Sequence, residues 1–125
     1  MIDFKNAEYL KLKPVNNSEY ADRITPMLIA DEEILASFRA IRDGVVFTNN
    51  RIFVINIQGI TGKKVDYTSL PYSKVQAFSV ETAGTFDLDN ELDLFFSGDI
   101  GQVRFELKGN CNILEISRII ASYVL

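Results

Sequence analysis

The apolar positions of this chain change period twice along its length, which divides it into helical ends around a strand-rich middle. At the start, Phe4, Ala7 and Leu10 line one side of a short helix, and Pro14 with Asn16-Asn17 marks a turn. Ser18 then serves as the N-cap of a second helix carrying Ala21, Ile24 and Leu28 at helical spacing, which Pro26 ends or kinks. Together they predict a helical hairpin over residues 1–30.

From Glu33 the period becomes two. Ile34, Ala36, Phe38 and Ala40 fall on one face of a strand, Ser37 and Arg39 on the other. Asp43-Gly44 predicts a tight type I′ hairpin turn into Val45–Thr48, and Asn49-Asn50 a second turn of similar chemistry. Further strands are expected at Arg51–Ile57, Lys64–Ser69, Val75–Val80, Glu91–Ser97 and Gln102–Lys108, cut by Gly59 to Gly62, Pro71, Ala83-Gly84 and Gly98 to Gly101. Helical spacing returns at the end. Asn112 caps a helix over 112–124, Glu115 is its capping-box partner, and Ile116, Ile119, Ile120, Tyr123 and Val124 form its apolar stripe.

The strand Arg51–Ile57 is apolar on both faces: Ile52 and Val54 on one, Phe53, Ile55 and Ile57 on the other. At about 25 cal/mol per Å² of apolar surface, leaving the second face in water forfeits several kcal/mol. Either the N-terminal helices or another subunit must cover it. The layout, about seven consecutive antiparallel strands over 33–108 closed by one helix, is that of a mainly β (α+β) domain, a small helix-capped β-barrel; periodicity alone leaves several such barrels open.

Composition narrows the classes. A chain of 125 residues, 47% hydrophobic and 24% charged, makes a single folded domain with an ordinary core. Its net charge of −4 argues against gripping a nucleic-acid backbone. The single cysteine, Cys111, precludes an internal disulfide, the first residues lack the layout of a signal peptide, and no apolar run approaches the roughly 20 residues of a membrane span. A cytoplasmic address is expected.

The runs VVFTNNRIFVINIQGITGKKVDYTSLPYSKV and FSVETAGTFDLDNELDLFFSG resemble the bacterial pleckstrin-homology (PH-like) domain family, formerly a domain of unknown function. Phe47-Thr48-Asn49 with Arg51, Gln58-Gly59 with Thr61-Gly62-Lys63-Lys64, Pro71-Tyr72 and Phe78 through Gly84 carry the likeness, which spans nearly the whole chain. Asn50 and Gly44 depart from it, standing where a basic and a bulkier residue are expected. The resemblance implies a PH-like β-barrel with a capping helix and an added helical hairpin, assembled into rings of identical subunits, pentamers. It brings no catalytic residues and no cofactor.

Candidate chemistry is sparse. With no histidine in the sequence, the usual general base near neutral pH and the commonest metal ligand are missing, so neither a catalytic nor a metal site is expected. Cys111 reads as a structural thiol. Asp87, Asp89, Glu91 and Asp93 faintly resemble a calcium loop, yet Leu92 stands where such a loop needs glycine. Asp87 and Asp89 are read as an acidic assembly contact seeking a basic partner on a neighbouring subunit. Thr61-Gly62-Lys63-Lys64 is similar to the basic loop that holds an anionic lipid head group in eukaryotic relatives, with Arg51 a further candidate contact if the fold brings it near, against which stands a plain solvated turn. An enzyme would require carboxylates alone, such as Glu81 with Asp87. The expectation is a non-enzymatic, self-assembling interaction module with an unidentified protein or peptide partner; a membrane surface is the alternative.

Overall fold

A computed structural model describes residues 3–4, 11–82, 89–108 and 111–125. The elements run β1 (Lys11–Val15), α1 (Ser18–Ile24), a 3-10 turn (Thr25–Met27), β2 (Ile34–Arg39), β3 (Gly44–Thr48), β4 (Arg51–Gln58), β5 (Lys64–Pro71), β6 (Val75–Glu81), β7 (Asn90–Phe96), β8 (Gln102–Leu107) and α2 (Ile113–Val124). The strands form one 8-stranded sheet in the order β5-β4-β3-β2-β1-β8-β7-β6. Among the described residues it does not close, since β5 and β6 are not paired to each other.

Strand β1 adds a strand within the helical extension expected over residues 1–30, where Pro14 predicts only a turn ahead of α1. Leu12 is buried between exposed Lys11 and Lys13, which is strand alternation. The strand pairs antiparallel with β2 and parallel with β8, so it joins the halves of the sheet and contributes a parallel pair that consecutive hairpins would not give. Pro14 is tolerated because pairing to β8 covers Lys11 and Leu12 and has ended where Pro14 stands. Of the expected first helix, Ala7 and Leu10 lie outside the described residues, whereas Phe4 is buried in the core. The Ala83-Gly84 turn also lies outside them.

The turns differ from expectation in mechanism. Neither Asp43-Gly44 nor Asn49-Asn50 adopts positive φ, so neither is type I′. At the first, Ala40 N donates to Asp43 O at 2.8 Å and Gly44 already belongs to β3. At the second, the Thr48 hydroxyl accepts from the backbone N–H groups of Asn50 and Arg51, both at 3.1 Å, and this side-chain turn needs no left-handed residue. Strand β2 holds a further departure: a register shift between Ile34 and Ala36 moves Ile34 off the face of Phe38.

Two apolar clusters result. The main one packs Leu12, Phe47, Ile52, Val54, Leu92 and Phe105 under α2, which contributes Ile113, Ile116 and Ile120. Asn112 caps that helix, its Oδ1 accepting from Glu115 N at 3.2 Å. The second lies on the opposite face, where Tyr20 and Ile24 of α1 cover Val46, Phe53 and Ile55. Asn17, rather than Ser18, occupies the N-cap position of α1; its Oδ1 accepts instead from Ser37 Oγ at 3.0 Å, which pins the helix start to β2. The doubly apolar strand is thereby buried within the monomer at Phe53 and Ile55 and partly at Ile57.

Candidate functional site

At one end of the β2-β3 and β4-β5 hairpins the connecting turns meet. Asp43 Oδ1 accepts from Asn56 Nδ2 at 3.0 Å and from Ile57 N at 3.2 Å, which ties the 40–43 turn to the end of β4. Arg42 Nη2 donates to Gly59 O at 2.5 Å and links that turn to the next one. Gly59 and Gly62 supply the left-handed backbone, with φ of 74° and 65°, that the second turn requires. On the linked tips, Ile41 and Ile60 stand in solvent, with relative exposures of 96% and 104%. An open pocket of about 350 Å³ lies beside Ile41, which lines it together with Lys11, Ala40, Arg42, Asn56 and Ile57.

Basic side chains border this notch. Lys63 and Lys64 are exposed on the Ile60 turn. In the other direction the pocket runs into a groove of about 560 Å³ on the outer face of β1, lined by Lys11, Lys13, Arg39 and Lys108 over an apolar floor that includes Val15 and Ile41. Arg39 pairs with Glu19 at 3.3 Å, while Lys11, Lys13, Lys63, Lys64 and Lys108 have no ion pair among the described residues. The arrangement is suited to binding an apolar or anionic surface. The carboxylate in the notch, Asp43, is buried and held by its hydrogen bonds, so it is not placed to move a proton to or from a ligand.

The basic residues proposed from sequence do not converge. Arg51 pairs in register with Pro71, and Gln58 with Lys64, which places Arg51 at the far end of the β4-β5 hairpin, about 23 Å away at roughly 3.3 Å per residue. Its guanidinium faces inward. Nε and Nη2 bond both oxygens of Glu32 at 3.0 and 2.8 Å, Nη2 reaches Met27 O at 2.7 Å, and the group lies 4.1 Å over the Phe53 ring. Thr48 Oγ1 donates to the same carboxylate at 2.7 Å. Burial pushes the Glu32 pKa up, but these bonds outweigh it and hold the carboxyl below its ordinary value.

The acidic side of the molecule forms a row across the sheet. Glu81 stands opposite Glu91, Glu91 opposite Glu106, and Glu106 opposite Lys11, all on one face. Arg104 lies 3.8 Å from Glu91 but is engaged by Asp93, with Nε to Oδ1 at 2.8 Å. The Glu91 carboxyl titrates above its ordinary value, chiefly through burial, with Glu81 raising it and Arg104 opposing. Asp89 is partly buried at the approach to β7 and has an interaction of its own; Asp87 lies outside the described residues. Burial pushes the Cys111 thiol up to about 11, as an inert structural cysteine requires. No group of His, Cys, Asp or Glu among the described residues is arranged to hold a metal.

Ile41 and Ile60 were not singled out from sequence, although a signal was there. Each is a bulky aliphatic residue inside a run of turn formers, where no strand face can cover it. The groove could not be found that way, because Lys108 joins Lys11 only through the parallel β1-β8 pairing.

No helix among the described residues is long and apolar enough to cross a membrane. The family model of the bacterial PH domain matches residues 3–124. The chain is 39% identical over 102 residues to the uncharacterized protein YjqA of Bacillus subtilis, covering 81% of this chain and 82% of that one. It is similar in structure to a DUF1696 family protein with a pleckstrin-homology domain from Shewanella loihica, with a TM-score of 0.80 and 43% identity over 92% of this chain and 98% of the other. A pleckstrin homology domain from Shewanella amazonensis matches with a TM-score of 0.66 and 42% identity, covering 89% and 90% of the chains. The family so matched is one of PH-like domains.

Proposed function

The chain belongs to the bacterial PH domain family, and from that premise we propose that it is a non-enzymatic interaction module that assembles with copies of itself into a closed ring, a pentamer, and presents the ring to a protein or peptide partner in the cytoplasm. The observation that carries this reading is the pair of fully exposed isoleucines, Ile41 and Ile60, on turns joined through Arg42 and Gly59, with Ile41 lining a largely apolar pocket. Apolar side chains scattered singly on a surface are ordinary; two fully exposed ones on turns tied to each other, one of them lining a pocket, support a surface that another molecule covers. Identical subunits that contact through unlike patches close into rings when the rotation permits. Light scattering on the purified protein at micromolar concentration tests the reading. A mass several times the 14.1 kDa of one chain is expected, and a monodisperse monomer overturns self-assembly.

A second reading, peripheral binding to anionic lipid, is supported by Lys63 and Lys64 on the same turn as Ile60. An aliphatic tip flanked by cations can sink into a head-group layer, with each cation contributing about 1 kcal/mol. Vesicles containing phosphatidylserine should then retain the protein at low salt, and Lys63→Glu with Lys64→Glu should release it. Absence of retention at low salt eliminates the lipid reading.

A further inference from the structure

On the outer sheet face, lysines gather around β1 and carboxylates across β6 and β7, the two groups meeting where Lys11 stands opposite Glu106. Around β1, Lys11, Lys13 and Lys108 line the groove without ion-pair partners among the described residues, and Ile41 stands at its end. Across β6, β7 and β8 the same face carries Glu81 and Glu91 directly opposite each other, and Asp93 one step further along β7. Like charges placed abreast on neighbouring strands cost stability in the isolated sheet. The cation within reach, Arg104, is shared, bonding Asp93 at 2.8 Å and standing 3.8 Å from Glu91. Farther along, Ala77 and Phe95 lie side by side, and Phe95 is 37% exposed. One surface therefore reads cations then an exposed isoleucine, the other carboxylates then an exposed phenylalanine.

We propose that the groove on the outer face of β1 is the docking site for the β6-β7-β8 face of a second copy of this chain, with Lys11 and Lys13 meeting Glu81 and Glu91 of the neighbour and Ile41 resting on its Ala77 and Phe95. The occupant is a second copy because the chain itself supplies the complementary surface, in the matching order of charged and apolar ends. The contact joins unlike patches, which is the geometry a ring uses, and to that extent the inference rests on the self-assembly reading. The neighbour's cations also offset the like-charge pairing of Glu81 with Glu91.

Charge reversal followed by light scattering tests the contact. Lys11→Glu with Lys13→Glu is expected to reduce the assembly to a monomer, and so is Glu81→Lys with Glu91→Lys. The chain carrying all of these substitutions is expected to regain the wild-type mass, because the pairs are restored with opposite polarity. Circular dichroism checks that each variant folds. The wild-type protein supplies an independent readout: its mass should fall as salt rises to about 1 M, where the screening length drops to about 3 Å. An oligomer that keeps its mass in both charge-reversal pairs overturns this contact and leaves self-assembly standing through another surface. A combined variant that folds yet stays monomeric overturns the pairing of these residues, as does a mass indifferent to salt. A wild-type protein that is monomeric at low salt overturns the self-assembly reading together with the contact.

Discussion

At the scale of single residues, the basic position Arg51 belongs to stability. Glu32 has no exposed side-chain surface and accepts from Ile29 N, Thr48 Oγ1 and Arg51. Glu32→Ala removes the acceptor of all of them and is expected to cost about 3 kcal/mol, the low end for breaking a buried pair, because Arg51 keeps some contact with water. Urea denaturation measures it. The sign of the pH effect follows from the lowered folded pKa: the contribution is present above the unfolded value of 4.5 and is lost as pH falls through the folded one. Glu32→Gln should therefore flatten the loss of stability at acid pH. Glu91, raised instead of lowered, acts in the opposite sense and contributes most below its unfolded value, losing that contribution as pH rises through the folded one. Cys111 gives a simpler test. With its thiol near 11, it should react with a thiol-directed reagent far more slowly in the native protein than in denaturant at neutral pH.

Individual elements explain one of the sequence's departures from its family pattern. Gly44 stands where a bulkier residue is expected, and a Cβ there would collide with the ring of Tyr20 on α1. The missing side chain lets α1 lie against the sheet and cover Phe53 and Ile55. Gly44→Ala is thus expected to lift Tyr20 out of its site and destabilise the protein by about 2 kcal/mol, within the range for overpacking a filled core. It should also expose the Phe53 face, which binding of a hydrophobic dye would report. Tyr72 plays a comparable part at the other end, donating to Thr48 O at 2.8 Å and stacking on Tyr123 of α2 at 5.7 Å. Tyr72→Phe keeps the stacking and loses the hydrogen bond, for an expected cost of about 1 kcal/mol in the denaturation midpoint energy.

For the whole molecule, the proposed ring and charge-paired contact predict an assembly that salt and surface charge reversal dissolve, while the core substitutions above leave the proposed interface residues intact. The sequence by itself determined the strands from β2 to β8, the closing helix with its Asn112 cap, and the demand that something cover Phe53 and Ile55, because periodicity and turn residues are local signals. It also determined the family, through matched turns spread over the chain. It misassigned Lys11–Val15, since an isolated short strand carries little periodic signal and its neighbours, β2 and β8, lie far along the chain. Only the tertiary structure decided that α1 supplies the cover, that Arg51 is turned inward, and that the turns carrying Ile41 and Ile60 are tied together. Only it placed Lys108 with Lys11 and set Glu81, Glu91 and Glu106 abreast. The physical reason is common to all of these: register between strands distant in sequence is fixed by burial and pairing across the sheet, and no local pattern encodes it.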